Sequence, residues 1–210
     1  RVVSIDYSSA VEANARSNGG HRNLLIVQAD IRQLPFREGQ FDKCFCLGVL
    51  QHTPAPRQSL LSLVSHLKPG GRLATDIYDL RLRNVLGPKY LVRPFTRNME
   101  SGKLYRLIKA YVDFMWPLSR LIRRIPRLGK SINWVLLVAD YSHQLGHSDD
   151  QLLKEWAYLD TFDMLAPAHD HPVSLGTYRK WFQEAGLEDI DIHYGYNGIE
   201  GRGTKPRTVQ

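Results

Sequence analysis

Three short apolar runs in the first fifty residues, each closing on an acid or a glycine, limit the fold most strongly. "RVVSID" ends at Asp6, "LLIVQAD" at Asp30 and "FDKCFCLG" at Gly48. Short apolar runs bounded by turn signals read as strands buried on both faces. Helical patterns lie between and after them. Ser8 or Ser9 is placed to cap a helix, and Ser9 with Glu12 fits a capping box. "PAPRQSLLSLVSHLKPGG" predicts a helix with Leu60, Leu61, Val64 and Leu67 on one stripe and Pro69-Gly70-Gly71 as its stop. "RLATDIY" predicts a fourth strand. Strands alternating with helices at this spacing give a parallel sheet with helical crossovers.

The alternation breaks at about Asp79, and the pattern stays helical to Pro172. "KLYRLIKAYVDFMW" places Leu104, Leu107, Ile108, Tyr111 and Met115 on one face. "PLSRLIRRIPRLGK" sets Leu118, Leu121, Ile122 and Ile125 opposite a row of arginines. "SDDQLLKEWAYL" opens on a capping-box pattern from Ser148 to Gln151. From Ser174 the αβ order resumes. "SLGTYRKWFQEAG" is a capped helix with Leu175, Tyr178, Trp181, Phe182 and Ala185 inward and Gly186 as its stop. "LEDIDIHY" alternates as a strand covered on one side does, and "NGIEGRGTKP" suits a short last strand. The organisation expected is a core over 1–78, a basic helical cap over 79–172, and a segment over 173–210 that completes the core.

Composition narrows the class. A chain 43% hydrophobic and 23% charged is that of an ordinary globular protein, and no apolar run is long enough to span a bilayer. No secretory pattern opens it, and Arg1 is not an initiator Met, so a processed chain or a fragment is expected. Cys44 and Cys46 lie two apart on one strand, a poor geometry for a disulfide. They read as small buried residues in a reducing, cytoplasmic compartment; a zinc site would need more ligands at suitable spacing, and no metal is expected. The net charge of +7 belongs to one stretch: residues 81–130 carry thirteen Lys or Arg against Glu100 and Asp113, a net of +11, leaving −4 elsewhere. That stretch suits a cap with its charges in water, an anionic acceptor, or peripheral contact with the inner face of a membrane. Nucleic acid is not expected, since no stacking platform is visible.

In open α/β sheets, ligands sit beyond the carboxyl ends of the strands. An acid after the second strand of a nucleotide-binding half accepts hydrogen bonds from ribose hydroxyls, which suits Asp6. Asp30, one strand over, suits an exocyclic adenine amine, with Ile31 against the ring.

These stretches, with "DIRQLPF", "GVLQH" and "LKPGG" in order, resemble the class I S-adenosylmethionine-dependent methyltransferases, closest to the small-molecule and quinone-type branch. The resemblance covers about residues 1–78 and 174–194. It implies a Rossmann-like sheet with helices on both faces and S-adenosylmethionine as cofactor. It also implies Asp6 on the ribose, Tyr7 beside the adenine, Asp30 and Ile31 holding the adenine, and Gly48 and Val49 at the methionine end. The family's first strand and glycine-rich loop have no counterpart here. A fragment lacking a central strand is expected to be poorly stable and to bind cofactor weakly.

Methyl transfer to a hydroxyl is helped by a general base, and His52 in "LQHTP" is the first candidate; the alternative is that it only shapes the loop. A second cluster, "YLDTFDMLAPAHDHP", with Trp156 just ahead of it, holds Asp160, Asp163, His169 and Asp170 as candidates for an acceptor pocket. A metal site or a solvated loop are its other readings. The function expected is methyl transfer to a small-molecule or lipid- or sugar-linked acceptor, in a chain that is itself inactive if truncated. A nicotinamide-dependent oxidoreductase and a non-catalytic membrane-associated module are the alternatives.

Overall fold

The computed structural model describes residues 1–81, 87–142 and 150–207. The chain divides into two units, one of residues 1–80 with 171–210 and one of residues 81–170.

In the first unit, β1 (Val2–Asp6) pairs in parallel with β2 (Leu24–Gln28), joined by α1 (Ala10–Asn18). A separate sheet has the order β3-β4-β6-β5, formed by β3 (Phe41–Cys46), β4 (Leu67–Ile77), β5 (Glu188–Gly195) and β6 (Gly198–Thr204). β3 and β4 run parallel, connected by α2 (Pro56–His66). β6 runs antiparallel to both β4 and β5. The expected α/β architecture is found, parallel within β1–β2 and β3–β4 and antiparallel where β6 enters. The cause is local: Gly195 pairs with Gly198 across a two-residue loop, Tyr196-Asn197, and only an antiparallel pair accepts so short a link.

The two pieces explain one correction. β1 and β2 were expected to be buried on both faces, yet none of their residues is buried and Val2 is exposed. β1 bonds only to β2, and β3 only to β4, so each keeps one edge outside any ladder among the described residues. Phe45 on β3 is likewise exposed.

The core of this unit joins Leu50, Leu60, Leu63, Val64, Leu67, Leu73 and Ile77 to Tyr178 and Phe182 of α7 (Leu175–Glu184) and to Ile192 and Ile199. Each such side chain, fully buried, contributes about 1.5–3 kcal/mol. Leu63, rather than Leu61, completes the inward stripe of α2, and the helix ends at His66, before Pro69, because Leu67 is already extended. Gly201 is required by packing: a Cβ there would lie 2.6 Å from Phe182 Cζ. Ser174 caps α7 by accepting from the Thr177 N–H at 3.0 Å, as its sequence suggests. Ser9 makes no such bond. It is already helical, and Ser8 Oγ accepts the Ala10 N–H at 3.1 Å instead.

The second unit is helical: α3 (Pro88–Thr96), α4 (Ser101–Ile122), α5 (Gly129–Val135) and α6 (Asp150–Leu165). The two helical patterns that meet at Pro117 form one helix, because Val112 and Trp116 before the proline and Ser119 and Ile122 after it are all buried on the same side. Its core holds Leu104, Ile108, Val112, Trp116, Leu137, Val138, Leu153, Ala157, Tyr158 and Leu165. Leu107, Tyr111, Leu118, Leu121 and Ile125, expected on packed faces, are exposed. Glu100 caps α4, accepting from the N–H groups of Gly102 and Lys103. The capping box from Ser148 lies outside the described residues. No helix is long and apolar enough to cross a membrane, among the described residues.

Candidate cofactor and acceptor site

The carboxyl ends of β3 and β4 are tied together by one carboxylate. The chain leaves β3 at Cys46 and reverses at Gly48, whose φ of 72° suits glycine. The Gly48 N–H donates to Asp76 Oδ1 at 2.5 Å, and Asn197 Nδ2 donates to Asp76 Oδ2 at 3.3 Å. Asp76 is buried near the end of β4. A single acid thus fixes the β3 exit against the β5–β6 turn. Beside it, Thr75 Oγ1 and the Tyr178 hydroxyl lie 2.5 Å apart, and burial pushes the Tyr178 phenol up.

One short turn of helix, Leu50–His52, follows Gly48. The Leu50 carbonyl accepts from Thr53 Oγ1 at 2.8 Å, and Ser59 Oγ lies 3.1 Å from Thr53 Oγ1, which pins the turn to α2. The His52 ring stands edge-on to Tyr78, centroids 5.4 Å apart. Gln51 is fully buried, its backbone carbonyl accepts from the His171 N–H, and neither polar atom of its side chain has a hydrogen-bond partner among the described residues. A buried amide without partners costs about 1–3 kcal/mol.

Asp6 ends β1, exposed, with Oδ1 accepting from the Ser8 N–H at 2.8 Å and Ser8 Oγ at 2.7 Å. A carboxylate has about four acceptor positions, so capacity for a ribose diol remains. Tyr7 is exposed beside it. Asp30, past the end of β2, is engaged otherwise: Arg32 bonds it from the backbone N–H at 2.8 Å, from Nε at 3.1 Å to both oxygens and from Nη2 at 2.6 Å. The guanidinium holds the Asp30 carboxyl below the usual range. An adenine amine would compete with Arg32 there. Ile31 packs on the core of the unit, and Val49 is exposed. Of the two strand-end acids, Asp6 thus keeps acceptor capacity, whereas Asp30 is already engaged by Arg32.

In the helical unit, Trp156, Asp160 and Asp163 fall on one face of α6. Trp156 stands edge-on to Tyr141 at 5.5 Å. Burial pushes the Asp160 carboxyl up, opposed by a hydrogen bond with Tyr141, while Asp163 adds to the rise. Asp170 belongs elsewhere: its buried carboxylate lies 3.0 Å from Lys89 Nζ and 3.8 Å from Arg93 Nε. Arg93 also donates to the carbonyls of Met164 and Pro167, so this cluster fastens α3 to the end of α6. His169 lies in the same segment after α6. No group of three or more metal-ligating side chains occurs among the described residues.

Asp76, Gln51, Tyr78 and Asn197 were not singled out from the sequence. Asp76 was within reach, since it lies near the end of an apolar strand, as Asp6 and Asp30 do.

Residues 1–75 match the family model described as a methyltransferase domain. Over 69 residues the chain is 39% identical to a tRNA U34 carboxymethyltransferase of Campylobacter curvus, a match covering 32% of this chain and 23% of that protein. Over 82 residues it is 33% identical to a ubiquinone/menaquinone biosynthesis C-methyltransferase of Azotobacter vinelandii, covering 39% of this chain and 32% of that one. The matched region thus spans about a quarter to a third of the length of these relatives. A Bacillus halodurans C-125 structure, itself proposed to be a methyltransferase, superposes with a TM-score of 0.50 at 13% identity, over 98% of this chain and 83% of that one, and shares the fold.

Proposed function

We propose that this chain, whose residues 1–75 match a methyltransferase domain, is a class I S-adenosylmethionine-dependent methyltransferase that serves methyl transfer to a small-molecule or lipid- or sugar-linked acceptor. The observation that carries the reading is the Gly48 turn held by Asp76, with Asp6 at the end of a separate pair of strands of the same unit. The cofactor, when bound, supplies an electrophilic methyl group, and the protein supplies alignment and exclusion of water. Asp6 accepts from the ribose hydroxyls. The Gly48 turn lines the methionine end, where its fixed geometry costs no reorganisation on binding. Gln51 offers a buried donor and acceptor beside it. His52, steadied by Tyr78, takes the proton that a hydroxyl acceptor loses as it gains the methyl.

Calorimetric titration with S-adenosylhomocysteine and, separately, NADH tests this reading. It expects S-adenosylhomocysteine to bind at least about tenfold tighter than NADH. Asp6→Ala should weaken it by roughly tenfold or more, the scale of lost charge-assisted hydrogen bonds. His52→Ala should leave it unchanged. NADH binding as tightly would favour the oxidoreductase instead, and an unchanged Asp6→Ala variant would remove the ribose assignment.

A further inference from the structure

Helix α4 is apolar on two sides, and only one is used by the core. Leu104, Ile108, Val112, Trp116, Ser119 and Ile122 are buried in the helical unit. A second stripe, at every third or fourth residue, faces away from it: Leu107 is 52% exposed, Tyr111 39%, Phe114 81%, Leu118 45% and Leu121 61%. It runs about 20 Å along the helix at 1.5 Å per residue. Exposed Ile125 and Leu128 follow directly. An apolar stripe of this length on the surface marks an interaction site.

The charges around it select the partner. Lys103 and Arg106 lie near one end of the stripe, Arg120 and Arg124 near the other, all exposed. The only acids in residues 81–130 are Glu100 and Asp113. Both are engaged: Glu100 caps the helix, and Asp113 pairs with Lys154 at 2.5 Å and accepts from the Tyr158 hydroxyl. A second copy of the helix would set base against base in either orientation, which opposes self-pairing. An apolar stripe flanked by bases fits a surface that is apolar and anionic together.

We propose that the outer face of α4 docks in the plane of an anionic lipid bilayer. Phe114, Leu118 and Leu121 enter the boundary between headgroups and acyl chains, and Lys103, Arg106 and Arg124 reach back to lipid phosphates. The proposal is independent of the cofactor site.

The test is co-sedimentation of the chain with vesicles of phosphatidylcholine alone or with about three-tenths phosphatidylglycerol. Binding is expected on the anionic vesicles and at least about tenfold weaker on neutral ones or in half-molar salt. Phe114→Glu with Leu121→Glu should lower it at least about tenfold, and Arg106→Glu with Arg124→Glu similarly. Both variants should keep the thermal unfolding of the parent, since these side chains are exposed. No vesicle binding by the parent chain overturns the proposal. So does equal binding by the Phe114/Leu121 variant, which would reduce the contact to charge alone. Without vesicle binding, self-association abolished by that variant would assign the stripe to a second copy, and RNA binding would assign the bases to nucleic acid.

Discussion

Replacing Asp76 by alanine should loosen the Gly48 turn far more than replacing it by asparagine. In the native fold Asp76 accepts two hydrogen bonds, from the Gly48 N–H at 2.5 Å and from Asn197 Nδ2 at 3.3 Å. The Asn197 side chain is exposed, so water replaces the lost acceptor there at little cost. The Gly48 N–H is partly buried, and leaving such a donor unsatisfied costs about 1–3 kcal/mol. Asp76→Asn keeps a carbonyl oxygen facing Gly48 and loses only the charge assistance, about 1 kcal/mol. Hydrogen exchange read at the Gly48 amide by NMR reports this bond directly. Exchange should accelerate roughly tenfold or more in Asp76→Ala, and only a few-fold in Asp76→Asn. S-adenosylhomocysteine affinity should follow the same order. Equal protection at Gly48 in both variants would refute the argument that this carboxylate sets the turn.

Two further outcomes concern the core around that turn. Phe182→Ala should cost about 3–5 kcal/mol in urea unfolding, because the ring is fully buried over Gly201; Gly201→Ala should cost about 1–3 kcal/mol by overpacking the same ring. Burial pushes the Cys44 thiol up to about 11 and the Cys46 thiol to about 12, from an ordinary value of 9.0. A raised pKa favours the protonated native form. The stability it contributes is therefore complete below pH 9 and declines as pH rises through 11 and 12, by about 1.4 kcal/mol per pH unit for each thiol at first. Urea unfolding at pH 8 and pH 10 should show the loss in the parent chain and a smaller one in the Cys44→Ala/Cys46→Ala variant.

Much of this architecture is written in short-range pattern. The apolar runs, the helix of Ser174 to Gly186 and the strand-end position of Asp6 follow from periodicity, caps and turn residues that act within a few positions. Features set by distant partners were not legible. β6 reads as a strand from its sequence, and its tight turn sets it antiparallel to β5, but its pairing with β4 follows from hydrogen bonding across the sheet. Pro117 reads as a helix break, and only the common core on both sides of it keeps α4 whole. Asp30 reads as an acceptor for a ligand. Its capture by Arg32, two residues on, depends on a turn that a residue pattern does not specify. The apolar spacing of α4 was legible, but not which of its two stripes would be covered, because both satisfy a helical period.

The account stands most directly on S-adenosylhomocysteine binding, measured by calorimetry on this chain and on a version extended ahead of Arg1 by a strand and a glycine-rich loop. β1 and β3 each hold an edge outside any ladder among the described residues, and a parallel strand bonded to both would join the two sheets into one. The account predicts weak binding by the chain as it stands, tight one-to-one binding by the extended version, and a loss of at least about tenfold from Asp6→Ala in the latter. No saturable binding by either version would contradict it.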